Sequence, residues 1–434
     1  MLKYLFVFLL SVFSINTFAQ INKSQVLVYG DSEASWAAAV QSARSGVKTL
    51  WLRSNKDIGI HFSGNKRIQI MGNNRLDSGL WAEFLQKTKN SPSASDSISI
   101  IAKQDVNPQI ARNVFESITD TLKNLSILYN VEIKSIRKSR KNWRVALSSN
   151  HNLKVDAIVD GSDNAFMLTL INKEDLSESD SRAKTLTPTS FYENNLFRTG
   201  VIVFEGEGGP NEIPASLVLS TRAENVFIIN QSPWLKNFSE ENVNHLPMYI
   251  QSGQAIGASA AYCAFFKTTT DKINIRTLQG ELLAYFGKII PFQDIELNDP
   301  HFSAIQRVGA TGVLKGETDK ESDSITFQFN PKKTVSPKEI EPVIVNLYTR
   351  SQIWFSDKNI ENLNLNDLLS LIKFTALKGE ELDADVKKGW TQRFHFTGNF
   401  NLEESLTRRQ VAVLIDYYLK PFNVKVDDEG VFRY

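Results

Sequence analysis

The turn after the first strand-like segment carries residues whose types and spacing suit phosphate binding. Residues 30–35 read Gly-Asp-Ser-Glu-Ala-Ser. In a dinucleotide site, three glycines here let the chain turn tightly, approach the pyrophosphate and pack helix against strand. The helix N-terminus then holds the phosphates. Only the first glycine is kept, so the sequence predicts an altered phosphate-binding loop with four candidate cofactor residues, Gly30, Ser32, Ala34 and Ser35.

Three charged residues change what this loop could bind. Asp31 and Glu33 add negative charge where phosphates would lie. Arg53 stands at the end of the second strand, where an acidic residue would bind the ribose hydroxyls. An arginine there favours a 2′-phosphate, so NADP is an alternative to FAD, and a purely structural turn at Gly30 is a third interpretation.

The elements around the loop predict a βαβ unit. Residues 25–30 form a buried-strand pattern, residues 34–45 an alanine-rich helix that ends at Gly46, and residues 47–52 a second strand. This order implies parallel strands with a right-handed crossover. The fold class expected is α/β, a Rossmann-like FAD/NAD(P)-binding domain.

The rest of this domain is predicted in four pieces. Residues 55–123 form a polar, mostly helical insertion, and residues 125–147 with 153–159 a small antiparallel meander that returns to a buried strand. Strands are expected at 201–204 and 226–229, and a helix of small residues at 253–266.

The C-terminal region contains an internal repeat with a period of 71 residues. Phe329-Asn330 recurs as Phe400-Asn401, and Ser336 with Glu339 recurs as Thr407 with Gln410. Both copies, Ser336 with Glu339 and Thr407 with Gln410, have the spacing of a capping box, in which N-cap and N3 side chains satisfy each other's backbone N–H groups. A mainly helical C-terminal domain is therefore expected.

Taken in order, these motifs resemble the exported FAD-dependent oxidoreductases known as xanthan-lyase-like flavoproteins. A Gly-Gly-x-x-x-x-Gly loop of that family corresponds to residues 58–64, which keep Gly59 and Gly64 but have Ile60 at the second glycine. The family's Ile-Asp-Ala-Thr-Gly-Asp segment corresponds to residues 159–164, which keep the first acid but shift the glycine. Three of the cofactor motifs are thus degraded.

The resemblance implies roles for further residues. Its Gly-Gln-Ala-x-Gly helix start, which would face the flavin ring, matches residues 253–257. The additional cofactor candidates are Arg53, Gly59, Ser63, Gly64, Asp160, Gly161, Gly253, Gln254 and Gly257. His61 is the candidate general acid or base. For Asp160 a turn cap, and for Gly253 and Gly257 close helix packing, are the structural alternatives.

Two functions follow from the resemblance. One is an FAD-dependent oxidoreductase that transfers hydride between flavin and a small organic or carbohydrate-like substrate. The alternative is a degenerate, non-enzymatic relative that keeps the fold without the cofactor and acts as an envelope-associated binding protein. Contact with the envelope would involve residues 269–434, which resemble an S-layer-homology segment.

Composition and motifs argue against several other classes. The net charge of +1 gives no reason to expect nucleic-acid binding. The basic stretch from Lys134 to Arg144 is expected to be a solvated hairpin turn. The five histidines lack metal-ligand spacing, so no metal is predicted. The sequence contains no Gly-x-Ser-x-Gly motif, so it does not indicate a serine hydrolase.

The N-terminus predicts export to the periplasm or the extracellular space. Lys3, an apolar run at residues 4–13 and a small-x-small site ending at Ala19 form a signal peptide, with an uncleaved anchor as the alternative. No later apolar run suggests a transmembrane anchor. Cys263 is the only cysteine, so no internal disulfide is expected. The predicted divisions are 1–19, 20–268 and 269–434.

Overall fold

The computed structural model describes residues 23–149, 151–171, 184–206, 208–321, 324–356 and 360–434. The predicted signal peptide lies outside these residues. In chain order the strands of the N-terminal half are β1 Val26–Tyr29, β2 Thr49–Arg53, β3 Leu125–Tyr129, β4 Ile133–Ser139, β5 Asn142–Leu147, β6 Asn152–Val155, β7 Ala157–Asp160, β8 Gly200–Gly206, β9 Gly209–Pro214 and β10 Val226–Ile228. The helices between and after them are α1 Glu33–Arg44, α2 Gly79–Thr88, α3 Asp96–Gln104, α4 Pro108–Asp120, α5 Phe166–Leu170, α6 Ala215–Leu219 and α7 Leu246–Phe266.

Five of these strands form a parallel sheet in the order β10-β7-β1-β2-β3. Both faces are buried, as is usual for parallel strands. Successive residues of β1 point to opposite sides, so Val26 and Val28 pack with α1 and α7, whereas Leu27 packs with the second core beneath the meander. The Rossmann-like α/β fold predicted from the sequence is confirmed.

The meander begins later than the sequence suggested. Its three antiparallel strands are β4, β5 and β6. Leu125–Tyr129 was assigned to it, but this strand pairs in parallel with β2 at the edge of the main sheet. Alternating side chains show which residues are buried and not which strand is the neighbour, so the pattern could not decide this pairing. The expected strand at 201–204 lies in a separate β8–β9 hairpin.

The remainder of the chain is mainly helical, as predicted. Its elements are α8 Ile275–Ala284, α9 Phe302–Thr311, β11 Glu317–Glu321, β12 Ser324–Gln328, α10 Pro337–Leu347, α11 Ser351–Ser356, α12 Leu365–Ala376, α13 Glu381–Gly389, α14 Arg408–Tyr418, β13 Lys425–Val426 and β14 Phe432–Arg433. No helix in the described ranges is long and apolar enough to cross a bilayer.

The internal repeat belongs to a ring of three segments. The N–H of Leu363 donates to the carbonyl of Val335 at 2.8 Å, that of Leu406 to Leu363 at 2.8 Å, and that of Val335 to Leu406 at 3.3 Å. Each of these buried residues directly precedes the N-cap of a helix, namely α10, α12 or α14. The repeat therefore has a third member at residues 363–367, which the sequence comparison did not detect.

Only one of the two predicted capping boxes is present. Thr407 and Gln410 form the box, with the Gln410 N–H 3.3 Å from Thr407 Oγ1 and the Thr407 N–H 2.9 Å from Gln410 Oε1. Ser336 makes no side-chain cap bond, so the first box was wrong. The reason is that the Glu339 carboxylate pairs with the buried Arg408 guanidinium instead.

Thr407→Ala should lower the stability of the C-terminal region by about 1 kcal/mol, because it removes a helix cap. Ser336→Ala is the matched control and should change stability by only a few tenths of a kcal/mol, since that side chain caps nothing. Urea unfolding followed by tryptophan fluorescence measures both. Equal losses for the two variants would contradict the assignment of a single capping box.

Candidate functional site

Gly30 lies where the phosphate loop was expected, at the carboxyl end of β1. Its φ of +128° is a conformation that glycine adopts readily, and a Cβ would lie 2.7 Å from Ser35 Oγ and 2.9 Å from the Gly161 carbonyl oxygen. The Trp51 indole donates to the Gly30 carbonyl at 2.9 Å. The structure therefore brings Gly30, Ser35 and Gly161 together in a tightly packed turn.

The two serines in the loop bond to their own helix. Ser32 is the N-cap of α1, and its Oγ accepts from the Ser35 N–H at 3.2 Å. The Ser35 hydroxyl is fully buried and lies 3.0 Å from Ser32 Oγ. Each hydroxyl thus satisfies a local group of the turn, which is the usual behaviour of serine at a helix start.

Glu33 occupies the N-terminus of α1, where a phosphate would bind. Its side chain is 2% exposed, and Oε1 lies 2.9 Å from His61 Nδ1 and 3.4 Å from the His61 backbone N–H. A Cβ on Gly59, whose φ is +67°, would come within 1.8 Å of the Glu33 carboxyl carbon. The loop at 59–61 therefore closes directly on this carboxylate, and the helix dipole stabilises the negative charge.

Asp31 and Arg53 also interact with the loop that follows β2. Asp31 Oδ1 accepts from the N–H groups of Ser54 at 2.9 Å and Asn55 at 3.2 Å. Arg53 Nη2 donates to the carbonyls of Lys56 at 2.9 Å and Asp57 at 2.7 Å. With the side chain 2% exposed, the guanidinium holds its own loop rather than presenting an edge to a 2′-phosphate.

Asp160 acts as a cap in this structure. Its carboxylate accepts from Ser162 N–H at 3.0 Å, Ser162 Oγ at 2.6 Å and Met167 N–H at 2.7 Å, which holds the start of α5. Burial raises the pKa of the Asp160 carboxyl, and these hydrogen bonds oppose the rise. The candidate residues Ser63 and Gly64 lie in an exposed loop, where Ser63 Oγ donates to the Ile60 carbonyl.

Further carboxylates surround the same end of the sheet. Asn230 Nδ2 lies 3.2 Å from the Gly161 carbonyl, 3.2 Å from Asp163 Oδ1 and 3.3 Å from Glu240 Oε2. Burial, together with the charges of Glu33 and Asp163, raises the pKa of Glu240 to about 7, while His61 opposes the rise. Sequence reasoning missed Glu240, because it lies far along the chain in a segment without a motif.

The helix start predicted at Gly253 was wrong, because α7 begins at Leu246 and places Gly253 in its interior. A Cβ on Gly253 would lie 2.1 Å from the Ala34 carbonyl oxygen, and one on Gly257 would lie 2.4 Å from that of Ala38. Both glycines therefore permit the close crossing of α1 and α7. Ser42 Oγ donates to the Gly257 carbonyl at 2.9 Å across this contact.

Gln254 is buried between three helices. Its Oε1 accepts from the Leu80 N–H at 2.9 Å, and its Nε2 donates to Gln41 Oε1 at 3.0 Å. These bonds join α1, α2 and α7.

A small cavity of about 50 Å³ lies at the true start of α7. Its lining includes Asp77, Lys103, Glu205, His245 and Gln251. The Lys103 ammonium lies 2.7 Å from Asp77 Oδ2, and both side chains are 3% exposed. The sequence offered no signal for this cavity, since its residues come from four separated segments.

Within the described ranges, no group of three or more histidine, cysteine, aspartate and glutamate side chains could hold a metal ion.

A family model described as FAD dependent oxidoreductase matches residues 25–208, less than half of the chain. The match confirms the resemblance of this part of the chain to that family, and FAD is the cofactor that the resemblance implies. The narrower likeness to xanthan-lyase-like flavoproteins stays a prediction. No curated protein matches the chain.

Several solved structures show limited similarity. THI4 from Thermovibrio ammonificans is 9% identical, with a TM-score of 0.34 over 60% of this chain and 96% of that one. The bacillithiol disulfide reductase Bdr (YpdA) from Staphylococcus aureus is 11% identical, with a TM-score of 0.24 over 33% of this chain and 40% of that one. A flavin monooxygenase mutant from Stenotrophomonas maltophilia is 13% identical, with a TM-score of 0.22 over 32% and 37%. The chain thus spans well under half the length of two of these proteins.

The residues at the loop do not fit the pyrophosphate of FAD in the arrangement found. Glu33 is buried at the helix N-terminus, and Asp31 holds the backbone N–H groups after β2. Two like charges about 4 Å apart repel by about 4 kcal/mol at an effective dielectric constant of about 20. The fold is therefore that of an FAD-binding domain, while its phosphate position is filled by the protein's own carboxylate.

Gly253→Ala should lower the free energy of unfolding by about 1–3 kcal/mol, because the added methyl group overpacks the crossing of α1 and α7. Gly280→Ala is the control: it lies in α8 with no atom within 4 Å of its Cβ position, so it should be neutral or stabilising by up to about 1 kcal/mol. Thermal unfolding monitored by circular dichroism gives both values. A harmless Gly253→Ala would show that the glycine serves something other than packing.

Glu240→Gln should remove a loss of stability that accompanies rising pH. The folded-state pKa of Glu240, about 7, exceeds its ordinary value of 4.5, so the folded protein keeps a proton that the unfolded chain releases. Its contribution is complete below the unfolded pKa and disappears as pH rises towards about 7. Urea midpoints at about pH 5 and about pH 8 should converge in the variant. The exposed Glu116→Gln control should keep the wild-type difference, and an unchanged difference in Glu240→Gln would contradict the assignment.

Proposed function

We propose that this chain is an exported, non-enzymatic relative of FAD-dependent oxidoreductases that acts as a binding protein at the cell envelope. The observation that carries the proposal is the buried Glu33 carboxylate, paired with His61, at the helix N-terminus where a cofactor phosphate would lie. Placing two phosphates there would require the carboxylate and the loop at 59–61 to move together.

Export rests on the signal-peptide pattern of residues 1–19. Contact with the envelope rests on the C-terminal region, where three helix starts surround the ring at Val335, Leu363 and Leu406. Such an arrangement presents three related surfaces between helices, which suits attachment to a repetitive partner.

An FAD-dependent oxidoreductase acting on a small organic or carbohydrate-like substrate is the second candidate, and the family match over residues 25–208 favours it. His61 would be its acid or base, but Nδ1 of that side chain is engaged by Glu33, and the buried Nε2 has no hydrogen-bond partner within the described ranges. The geometry therefore supports the binding protein better.

The mature chain, beginning at Gln20, should be purified and its visible spectrum recorded before and after addition of FAD. We expect no flavin absorbance after gel filtration in either case, because the phosphate position is closed and negatively charged. A chain that retains stoichiometric flavin would overturn the proposal and establish the second candidate.

Glu33→Ala tests the cause of the closure. Removing a charge from the phosphate position should strengthen FAD binding at least tenfold, a change of about 1.4 kcal/mol, measured by quenching of flavin fluorescence. Glu116→Ala removes an exposed carboxylate from α4 and should leave flavin affinity unchanged. If Glu33→Ala gains nothing over this control, Glu33 does not close the site.

A further inference from the structure

A row of three cations crosses the outer face of the meander. Arg137 on β4 lies directly opposite Arg144 on β5, and Arg144 lies directly opposite Lys154 on β6. All three side chains are exposed, while neighbouring residues such as Val145 and Leu153 point into the core. The alternation of the strands therefore collects these charges on one face.

Like charges directly opposite each other destabilise an antiparallel pair. Oppositely charged cross-strand neighbours would avoid this repulsion, but the row contains none. Among the described residues, no hydrogen bond or ion pair involves the side chains of Arg137, Arg144 or Lys154. Arg140 and Lys141, in the adjoining turn, extend the same positive surface.

A cavity of about 680 Å³ opens beside the row and shares Arg137 with it. Arg222 also lines this cavity, and its buried Nη1 has no hydrogen-bond partner among the residues that the structure describes. Lys138 is neutralised there by Glu224, whose Oε1 lies 2.6 Å from the ammonium nitrogen. Two guanidinium groups without ion-pair partners in the described part of the chain therefore border one cavity, and guanidinium matches the geometry of carboxylate.

We propose that the outer face of the meander, defined by Arg137, Arg144 and Lys154 with the adjacent Arg222 cavity, binds an acidic polysaccharide. The cation row follows the backbone of the polymer, and the cavity accepts one carboxylate-bearing sugar unit. The choice of a polysaccharide rests on the proposed export of the chain, which places this face where extracellular polymers are found.

Two observations argue against other polyanions. A membrane-binding surface would insert large apolar side chains, and none of the exposed ones in the described chain comes from residues 133–155. A single-stranded nucleic acid would need exposed aromatic rings for stacking. The nearby Trp143 is only 4% exposed, and the Lys138 ammonium covers its ring at 4.7 Å from the centroid.

The test measures binding of polygalacturonate to the mature chain by isothermal titration calorimetry at about 20 mM and about 200 mM salt. The wild type should bind at low salt and weaken as salt rises. Arg137→Gln/Arg144→Gln/Lys154→Gln should weaken binding at least tenfold and flatten the salt dependence. Its unfolding midpoint should be equal to or above that of the wild type, which shows that the variant is folded.

Lys66→Gln/Lys87→Gln/Lys388→Gln is the matched control, because it removes the same charge from exposed positions elsewhere. Its affinity for polygalacturonate should be within about twofold of that of the wild type, as expected for surface charges outside the contact. Arg222→Gln should weaken the binding of trigalacturonate, a probe so short that the cavity contributes most of its contacts. Absence of binding at low salt, or an equal loss in the control, would overturn the proposal. Equal affinity for duplex DNA or for phosphatidylglycerol vesicles would also overturn it. A flavin spectrum in the wild type would leave the polysaccharide-binding result unchanged.

Discussion

The close crossing of α1 and α7 is the contact on which the N-terminal half depends. Gly253 and Gly257 bring the backbone of α7 against the carbonyls of Ala34 and Ala38, at distances that no larger residue allows. The crossing buries almost all of α1 and fixes its N-terminus at the edge of the sheet. It thereby determines where Glu33 lies. The polar chain from Gln41 through Gln254 to Leu80 then attaches α2 to the same contact.

The closed phosphate position is a consequence of this tight crossing of α1 and α7. Because α1 cannot shift, the carboxylate at its first position must be satisfied by the segments around it, and the loop at 59–61 supplies His61 and a glycine that leaves room. The surrounding acids, among them Asp163 and Glu240, make the same end of the sheet unfavourable for another anion. The fold of a dinucleotide-binding domain is thus preserved by helix packing that is independent of any cofactor.

The meander and the C-terminal region are built on different principles from the sheet. In the meander, exposed like charges face one another across the strands, a cost that core packing beneath them offsets. In the C-terminal region, three backbone hydrogen bonds close a ring and a helix starts after each member, with side-chain caps from Asn364 and Thr407. The proposed contacts with extended partners rest on the positive charge of the first part and on the repeated geometry of the second.

Local rules let the sequence by itself determine the βαβ unit, the small-residue helix, the basic hairpin and the capping box at Thr407. Each depends on residues close together in the chain, through side-chain period, helix capping and turn preference. Only the tertiary structure decided that Leu125–Tyr129 joins the parallel sheet, that α7 begins seven residues before Gly253, and that Leu363 completes the ring. It also decided that Glu33 turns to His61. These outcomes depend on which distant segments become neighbours, and the burial pattern of a single segment carries no information about its partner.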